Sequence, residues 1–234
     1  MHALSPSVPA EPAPGAALCG PVPGGINVGG YLRTESGVGA AVRGYVRALR
    51  SLGIPLALKD VSALSGNRAE DRTLTSFDTD LPYGVNLVGG DIDLHFAVMT
   101  QLGEEFFKDR YNIGVWAWEL PRFPDKWYDR FVYYDEIWVA SSFIANALTP
   151  VSPIPVVRIP PVLTAERYGS RDRGRQRLGV APDEFVYLFV FDFHSRCQRK
   201  NPLALIDAFR TCSTKLVFPS SASSTLKIGV QSHC

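Results

Sequence analysis

Two glycines at the mouth of an amphipathic helix are the first residues in this chain suited to chemistry. In Ser36-Gly37-Val38-Gly39, Ser36 is a fitting N-cap. Val38, Val42, Tyr45, Val46, Leu49 and Leu52 then recur at helical spacing, with Arg43, Arg47 and Arg50 on the other face and Gly53 as a left-handed stop. Small residues at a helix start let a ligand approach the backbone, and exposed N–H groups with the helix dipole favour a phosphate. The plainer alternative is that Gly37 and Gly39 only permit a tight helix entry against a sheet. A dinucleotide site is the first rival, because Asp60 ends the second apolar run about 20 residues beyond Gly39, where a ribose-binding acid belongs. That fingerprint fails. Its third glycine position is Val42, and the first strand ends at Val28, too far before Gly37 for a tight strand-to-helix turn.

Three further segments carry candidate groups. Asp91-Ile92-Asp93 has the form of a carboxylate pair that holds a metal and a diphosphate, or, more blandly, of acids at the positive end of a helix. Trp116-Ala117-Trp118-Glu119-Leu120-Pro121 follows an apolar run, so Glu119 falls beyond the carboxyl end of a strand, where ligands of open α/β sheets bind. Indole rings there suit stacking on sugar faces, although an aromatic core with one exposed acid has the same signature. His194-Ser195-Arg196-Cys197-Gln198-Arg199-Lys200 sets three cations at another strand end, fit to clamp a diphosphate or simply a solvated basic loop.

The elements that must position these residues alternate. Strands are expected over Gly25–Val28, Ile54–Leu58, Val85–Val88, Asn112–Trp118, Glu136–Ala140 and Pro155–Ile159. Helical patterns separate them: one from Ser36, a mixed one over Leu94–Phe107, one opened by Pro124 with Trp127, Phe131 and Tyr134 inward, and one capped by Ser141 or Ser142. Asp60 to Tyr83 is polar and irregular and reads as a mobile loop. Strand–helix alternation predicts an α/β fold, a Rossmann-like doubly wound parallel sheet. Pro160-Pro161 breaks the pattern, which restarts with a charged helix over Arg171–Leu178, a buried strand over Phe185–Phe191 and a helix over Pro202–Arg210. Lys215–Phe218 has strand character, but the serine-rich stretch after it offers little to finish a sheet. The expected organisation is therefore a disordered Pro/Ala-rich leader or linker over 1–24, a Rossmann-like domain over 25–160, the first part of a second such domain over 161–210, and an irregular tail over 211–234.

Composition narrows the classes. The 234 residues are 46% hydrophobic and carry a net charge of +1, so no global field attracts nucleic acid or anionic lipid. No apolar run approaches the ~18 residues of a spanning helix. The leader lacks both a basic start and a proline-free apolar stretch, which argues against a secretory signal. Cys19, Cys197, Cys212 and Cys234 share no metal-type spacing and read as free thiols, and the expected location is cytoplasmic.

Taken together, five segments resemble group 1 (family 4) glycosyltransferases. They are Gly-Gly-Tyr-Leu-Arg-Thr-Glu-Ser-Gly-Val-Gly (29–39), Gly-Val-Trp-Ala-Trp-Glu-Leu-Pro-Arg-Phe-Pro (114–124), Asp-Glu-Ile-Trp-Val-Ala-Ser-Ser-Phe (135–143), Val-Val-Arg-Ile-Pro-Pro-Val (156–162) and Arg-Lys-Asn-Pro-Leu-Ala-Leu-Ile (199–206). The resemblance spans Gly25 to Arg210 and implies a GT-B fold, the first domain on the acceptor side and the second on the donor side. It implies a retaining transfer of a hexose from a nucleotide-sugar donor to a glycan or lipid-linked acceptor in bacterial surface-polysaccharide or glycolipid assembly. No metal and no other cofactor is implied, nucleic acid is not a partner, and any association with the inner membrane surface is peripheral. By the same resemblance Gly37 and Gly39 approach the donor diphosphate, Lys200 binds phosphate, and Arg199 substitutes for a family arginine whose position holds His194. Trp118 and Glu119 stand where relatives place an acceptor-side histidine, making Glu119 the candidate catalytic group. The family's glutamate pair, seven residues apart, belongs beyond Arg210, yet no acidic residue follows Asp207. This chain is therefore expected to be truncated and inactive, and the alternative reading is a non-catalytic remnant that only binds an acceptor or a partner.

Overall fold

The structure, a computed structural model, describes residues 22–162, 169–192, 197–215 and 224–231. The chain divides after Leu163 into two compact units, three residues beyond the boundary expected at Pro160-Pro161. The first unit runs β1 (Val22–Gly30), α1 (Gly37–Ser51), β2 (Leu56–Asp60), β3 (Tyr83–Gly89), α2 (His95–Leu102), α3 (Glu104–Phe107), β4 (Tyr111–Trp116), β5 (Glu136–Val139), α4 (Ser142–Leu148) and β6 (Val156–Arg158). Short 3-10 turns at Ser62–Leu64 and Ile92–Leu94 and a longer 3-10 helix at Asp125–Tyr133 complete it. All six strands pair in parallel in the order β2-β1-β3-β4-β5-β6. This is the Rossmann-like α/β arrangement expected, with the strand order reversing direction between β1 and β3.

Successive residues of each strand face opposite layers. Val28, Leu87, Ile113 and Val115 join Val42, Tyr45 and Val46 of α1 in one buried layer. Val88, Ile137 and Val139 join Val98, Leu102, Ile144 and Leu148 in the other. Two apolar faces explain why the strands read as continuous hydrophobic runs.

One rung is an exception. Asn27, Asn86 and Asn112 are aligned partners on β1, β3 and β4, and all three are buried. Asn27 Nδ2 donates to Asn86 Oδ1, and Asn86 Nδ2 to Asn112 Oδ1, both at 2.8 Å. The outer ends are also satisfied. Asn27 exchanges bonds with the Tyr83 backbone, while Asn86 and Asn112 donate to the carbonyls of Phe106 and Phe107, orphan acceptors at the end of α3.

Several expectations need correction. The helix expected from Pro124 is a 3-10 helix, with Pro124 itself extended at its N-cap and Tyr134 extended beyond its end. Packing decides this, since Phe131 and Tyr134 must both reach Trp116, at ring distances of 4.8 and 5.7 Å. Arg43, expected on the solvent face of α1, is buried. Its guanidinium donates to the carbonyls of Leu32 and Thr34 and pairs with Asp71 at 2.9 Å. The segment between β2 and β3, expected to be mobile, is anchored by that ion pair, by mutual bonds between Leu58 and Asp78, and by buried Leu74. Its polar residues hold it down.

The second unit contains α5 (Arg171–Leu178), β7 (Phe185–Asp192), α6 (Cys197–Lys200), α7 (Pro202–Lys215) and β8 (Ser224–Gln231). The irregular tail expected over 211–234 is corrected by two of these, because α7 continues to Lys215 and β8 pairs in parallel with β7 from Phe185↔Ser224 to Asp192↔Gln231. The signal was the alternation of Leu226, Ile228 and Val230 with Thr225, Lys227 and Gln231. Lys215 is helical, and the rest of the strand considered at Lys215–Phe218 lies outside the described residues, as do residues 1–21 of the leader. Val22–Gly24, placed with that leader, open β1.

Removing the middle of the asparagine rung tests its weight. Asn86→Leu strands a donor on Asn27 and an acceptor on Asn112, while the Phe106 carbonyl keeps its bond from Arg110, and should destabilise the first unit by on the order of 3 kcal/mol. Urea unfolding of parent and variant measures this, and an unchanged midpoint would remove the rung from the list of stabilising contacts.

Candidate functional site

The loop after β1 is built around one carboxylate. Asp60 Oδ1, at the end of β2, accepts from the backbone N–H groups of Leu32 (3.0 Å), Arg33 (3.2 Å) and Ser62 (3.2 Å). Asp60 is thereby committed to folding the loop, a use unlike that of a ribose-binding acid. The loop leads into α1, where Ser36 Oγ accepts from Gly39 N at 3.2 Å as an N-cap should. Gly53 follows the helix at φ +72°, the left-handed conformation expected of it.

The two glycines of this helix start do different things. A Cβ on Gly39 would stand 2.5 Å from the Thr34 carbonyl oxygen and 2.8 Å from that of Tyr31. Gly39 is therefore required by close packing of helix on loop, and its N–H is already taken by Ser36. A Cβ on Gly37 would meet nothing within 4 Å, and Gly37 is exposed. The N–H groups of Gly37 and Val38 belong to the orphan donors of a first helical turn. An anion docking here would use Gly37 and Val38, with Gly39 setting the geometry.

Beyond β3 and β4 lies a second feature, a cavity of about 10 Å³ lined by Gly90, Asp91, Ile92, His95, Trp116 and Tyr134 among others. Asp91 sits at the N-cap position of the Ile92–Leu94 turn without a capping bond from its side chain, and Asp93 is exposed. Burial, helped by the neighbouring Asp93 charge, raises the Asp91 pKa. Among the described residues no group of three or more His, Cys, Asp or Glu side chains is arranged to hold a metal ion. His95, the first residue of α2, is 3% exposed; its Nδ1 lies 3.4 Å from the Tyr134 hydroxyl, and its Nε2 is buried with no partner in the structure. Burial first, and then the charge of Arg130, push the imidazole down to about 4. Arg130 is itself buried, its guanidinium 4.3 Å above the Trp127 ring.

The remaining sequence candidates fall as follows. Trp116 is core, stacked on Phe123 at 5.7 Å. Trp118 is half-buried, donates Nε1–H to the Arg122 carbonyl at 3.1 Å and packs edge-on against Trp127. Glu119 is exposed in the same loop. In the second unit Arg199 is exposed and Lys200 half-buried at the end of α6, followed by Asn201 at φ +49° and then α7. His194 and Arg196 lie outside the described residues. Sequence reasoning missed His95. A lone histidine in an apolar helix start carries no motif, and only its position after the strand-ending Gly89-Gly90-Asp91 pointed to it.

Fold and site together define a doubly wound, Rossmann-like α/β protein with a capped helix start and a polar cavity at the carboxyl ends of its strands. No protein-family model matches the chain, and no curated protein matches it. No helix among the described residues is long and apolar enough to cross a membrane.

Two outcomes follow. Gly37→Ala should leave stability within about 0.5 kcal/mol, while Gly39→Ala should lower it by more than about 1 kcal/mol, because a Cβ there meets backbone. Thermal melts of the pair decide, and equal melting points would refute the packing role of Gly39. His95 makes stability depend on pH. The unfolded imidazole binds a proton near 6.5 and the folded one only near 4. Between these values the unfolded state holds more protons, so stability falls as the pH drops from 6.5 towards 4, by on the order of 3 kcal/mol in total. His95→Gln should flatten that part of the stability–pH curve; an unaltered slope would show that another group titrates.

Proposed function

We propose that this chain is a glycosyltransferase of the retaining, nucleotide-sugar-dependent kind, with its acceptor side in the first unit and its donor side in the second. Its donor is a nucleotide-activated hexose, and its acceptor a glycan or lipid-linked sugar met in the cytoplasm or at a membrane surface. One observation carries the reading. Four of the five segments that resemble the family run from the end of a strand into the loop beyond it, namely after β1, β4, β5 and β6. In an open parallel sheet, ligands gather at these strand ends, above all where the strand order reverses. The loop after β1 leads into the capped start of α1 beside that reversal. Gly37 offers a diphosphate an unobstructed approach to backbone donors. Arg199 and Lys200 are the cations that the same resemblance assigns to phosphate, and Trp118 with Glu119 the acceptor-side groups. Among them, Glu119 is the one suited to proton transfer.

A charge reversal at Gly37 tests the anion role separately from folding. Gly37→Asp adds an acid to the first turn of α1, where it favours the helix by about 0.3–1 kcal/mol, yet it repels a phosphate. Binding of UDP and GDP should be measurable by calorimetry on the parent chain and weakened at least about tenfold in the variant, the scale of ~1.4 kcal/mol. The melting temperature should stay level or rise. If neither nucleotide binds the parent, or if the variant binds as well as the parent, the helix start is only an entry to the sheet.

A further inference from the structure

His95 lines a cavity of about 10 Å³, room for one water-sized group, and its buried Nε2 has no partner in the structure. Leaving such an atom unsatisfied costs ~1–3 kcal/mol, so the native protein is expected to fill the space with something that hydrogen-bonds. We propose that the cavity is a hydroxyl subsite, taking a single hydroxyl of a carbohydrate on His95 Nε2 while the rings beside His95 meet the sugar's apolar face. This rests on the carbohydrate reading above, though not on transfer chemistry.

The chemistry of the lining selects the ligand. A hydroxyl both donates and accepts, so it satisfies Nε2 in either tautomer, whereas an ammonium or a carboxylate satisfies only one. Burial keeps the imidazole neutral down to about pH 4, so His95 itself offers no charge to an anionic ligand. A metal ion is disfavoured by the ligand set, since no third His, Cys, Asp or Glu joins Asp91 and His95 among the described residues. A sugar hydroxyl can also donate to Asp91, which lines the same space.

The surroundings suggest why the hydroxyl belongs to a sugar. Phe96 and Tyr133 lie 5.3 and 5.4 Å from the His95 ring and are 45% and 38% exposed. Half-exposed rings beside a few placed polar groups are the usual make-up of a small-molecule site. The cavity also opens at the carboxyl end of β3, one of the two strands at which the sheet order reverses.

The test follows the His95 imidazole nitrogens by long-range proton–nitrogen NMR in the full chain. Methyl α-glycosides of glucose, galactose, mannose and rhamnose are titrated to their solubility limits. At least one should shift the Nε2 resonance saturably. Gly90→Ala, which brings a methyl group 3.3 Å from Val98 Cγ2 in the cavity wall, should weaken that glycoside about tenfold, the scale of one buried hydrogen bond. If Gly90→Ala does not fold, the parent titration decides alone. No shift with any glycoside would mean that water alone fills the cavity, and undiminished binding by Gly90→Ala would mean that the sugar sits elsewhere; either overturns the proposal. UDP and GDP are titrated into the same sample. A glycoside shift without nucleotide binding keeps the hydroxyl subsite and removes the transferase reading, and nucleotide binding with a silent His95 does the reverse.

Discussion

Three asparagine side chains on one rung, Asn27, Asn86 and Asn112, hold β1, β3 and β4 in a single register. A parallel sheet buried on both faces by similar aliphatic residues has weak internal means of specifying register. A slip of one residue would break both amide bonds and strand buried donors and acceptors, which an all-apolar rung would not penalise. The same amides take up carbonyls at the end of α3, so the helix is fixed to the rung as well. Everything at the carboxyl ends of these strands inherits that alignment. Gly30 stands opposite Gly89, close enough that a Cβ on Gly30 would lie 2.5 Å from the Gly89 oxygen, and Gly89 stands opposite Val115.

On this frame the charged residues near the strand ends divide by use. Asp60 spends its carboxylate on three loop N–H groups, and Arg43 joins two loop carbonyls to Asp71. Each is a buried or half-buried charge whose partners are all internal, which makes the loop from Tyr31 to Glu35 stiff at its inner side. Stiffness there matters because the loop delivers the chain to the start of α1. A helix terminus binds an anion well only if its N–H groups are held ready, without the conformational cost of ordering a loop on arrival.

The cavity beside His95 shows the opposite condition, a polar group that internal partners leave incomplete. Its neighbours are aromatic or aliphatic apart from Asp91 and the Tyr134 hydroxyl, and burial raises the pKa of both of these while lowering that of His95. All three shifts favour the uncharged form. A hydrogen-bonding pocket a single group wide is a different kind of site from the open helix start, and the two lie at the ends of neighbouring parts of one sheet.

The sequence alone determined the fold class, because period-2 and period-3.6 patterns in alternation have few solutions other than a parallel sheet with helices on both faces. It determined the start of α1 as well, since Ser36 capping and the Gly53 stop are local chemistry. It also contained β8, whose alternation at Leu226, Ile228 and Val230 was masked by the serine-rich stretch before it. What lay beyond it depended on contacts between distant segments. Asn27, Asn86 and Asn112 stand 59 and 26 positions apart along the chain, and nothing local marks them as partners. Arg43 lies on the polar side of its helical wheel, and only the loop folded over α1 turns that side inward. Gly37 and Gly39 look equivalent in sequence, but the carbonyls of Tyr31 and Thr34 press on one and leave the other open. His95 had no motif at all. Its buried, unpartnered nitrogen exists because β3, β4 and the 3-10 helix converge around it, and burial of that kind is a property of packing in three dimensions that no spacing along a chain encodes.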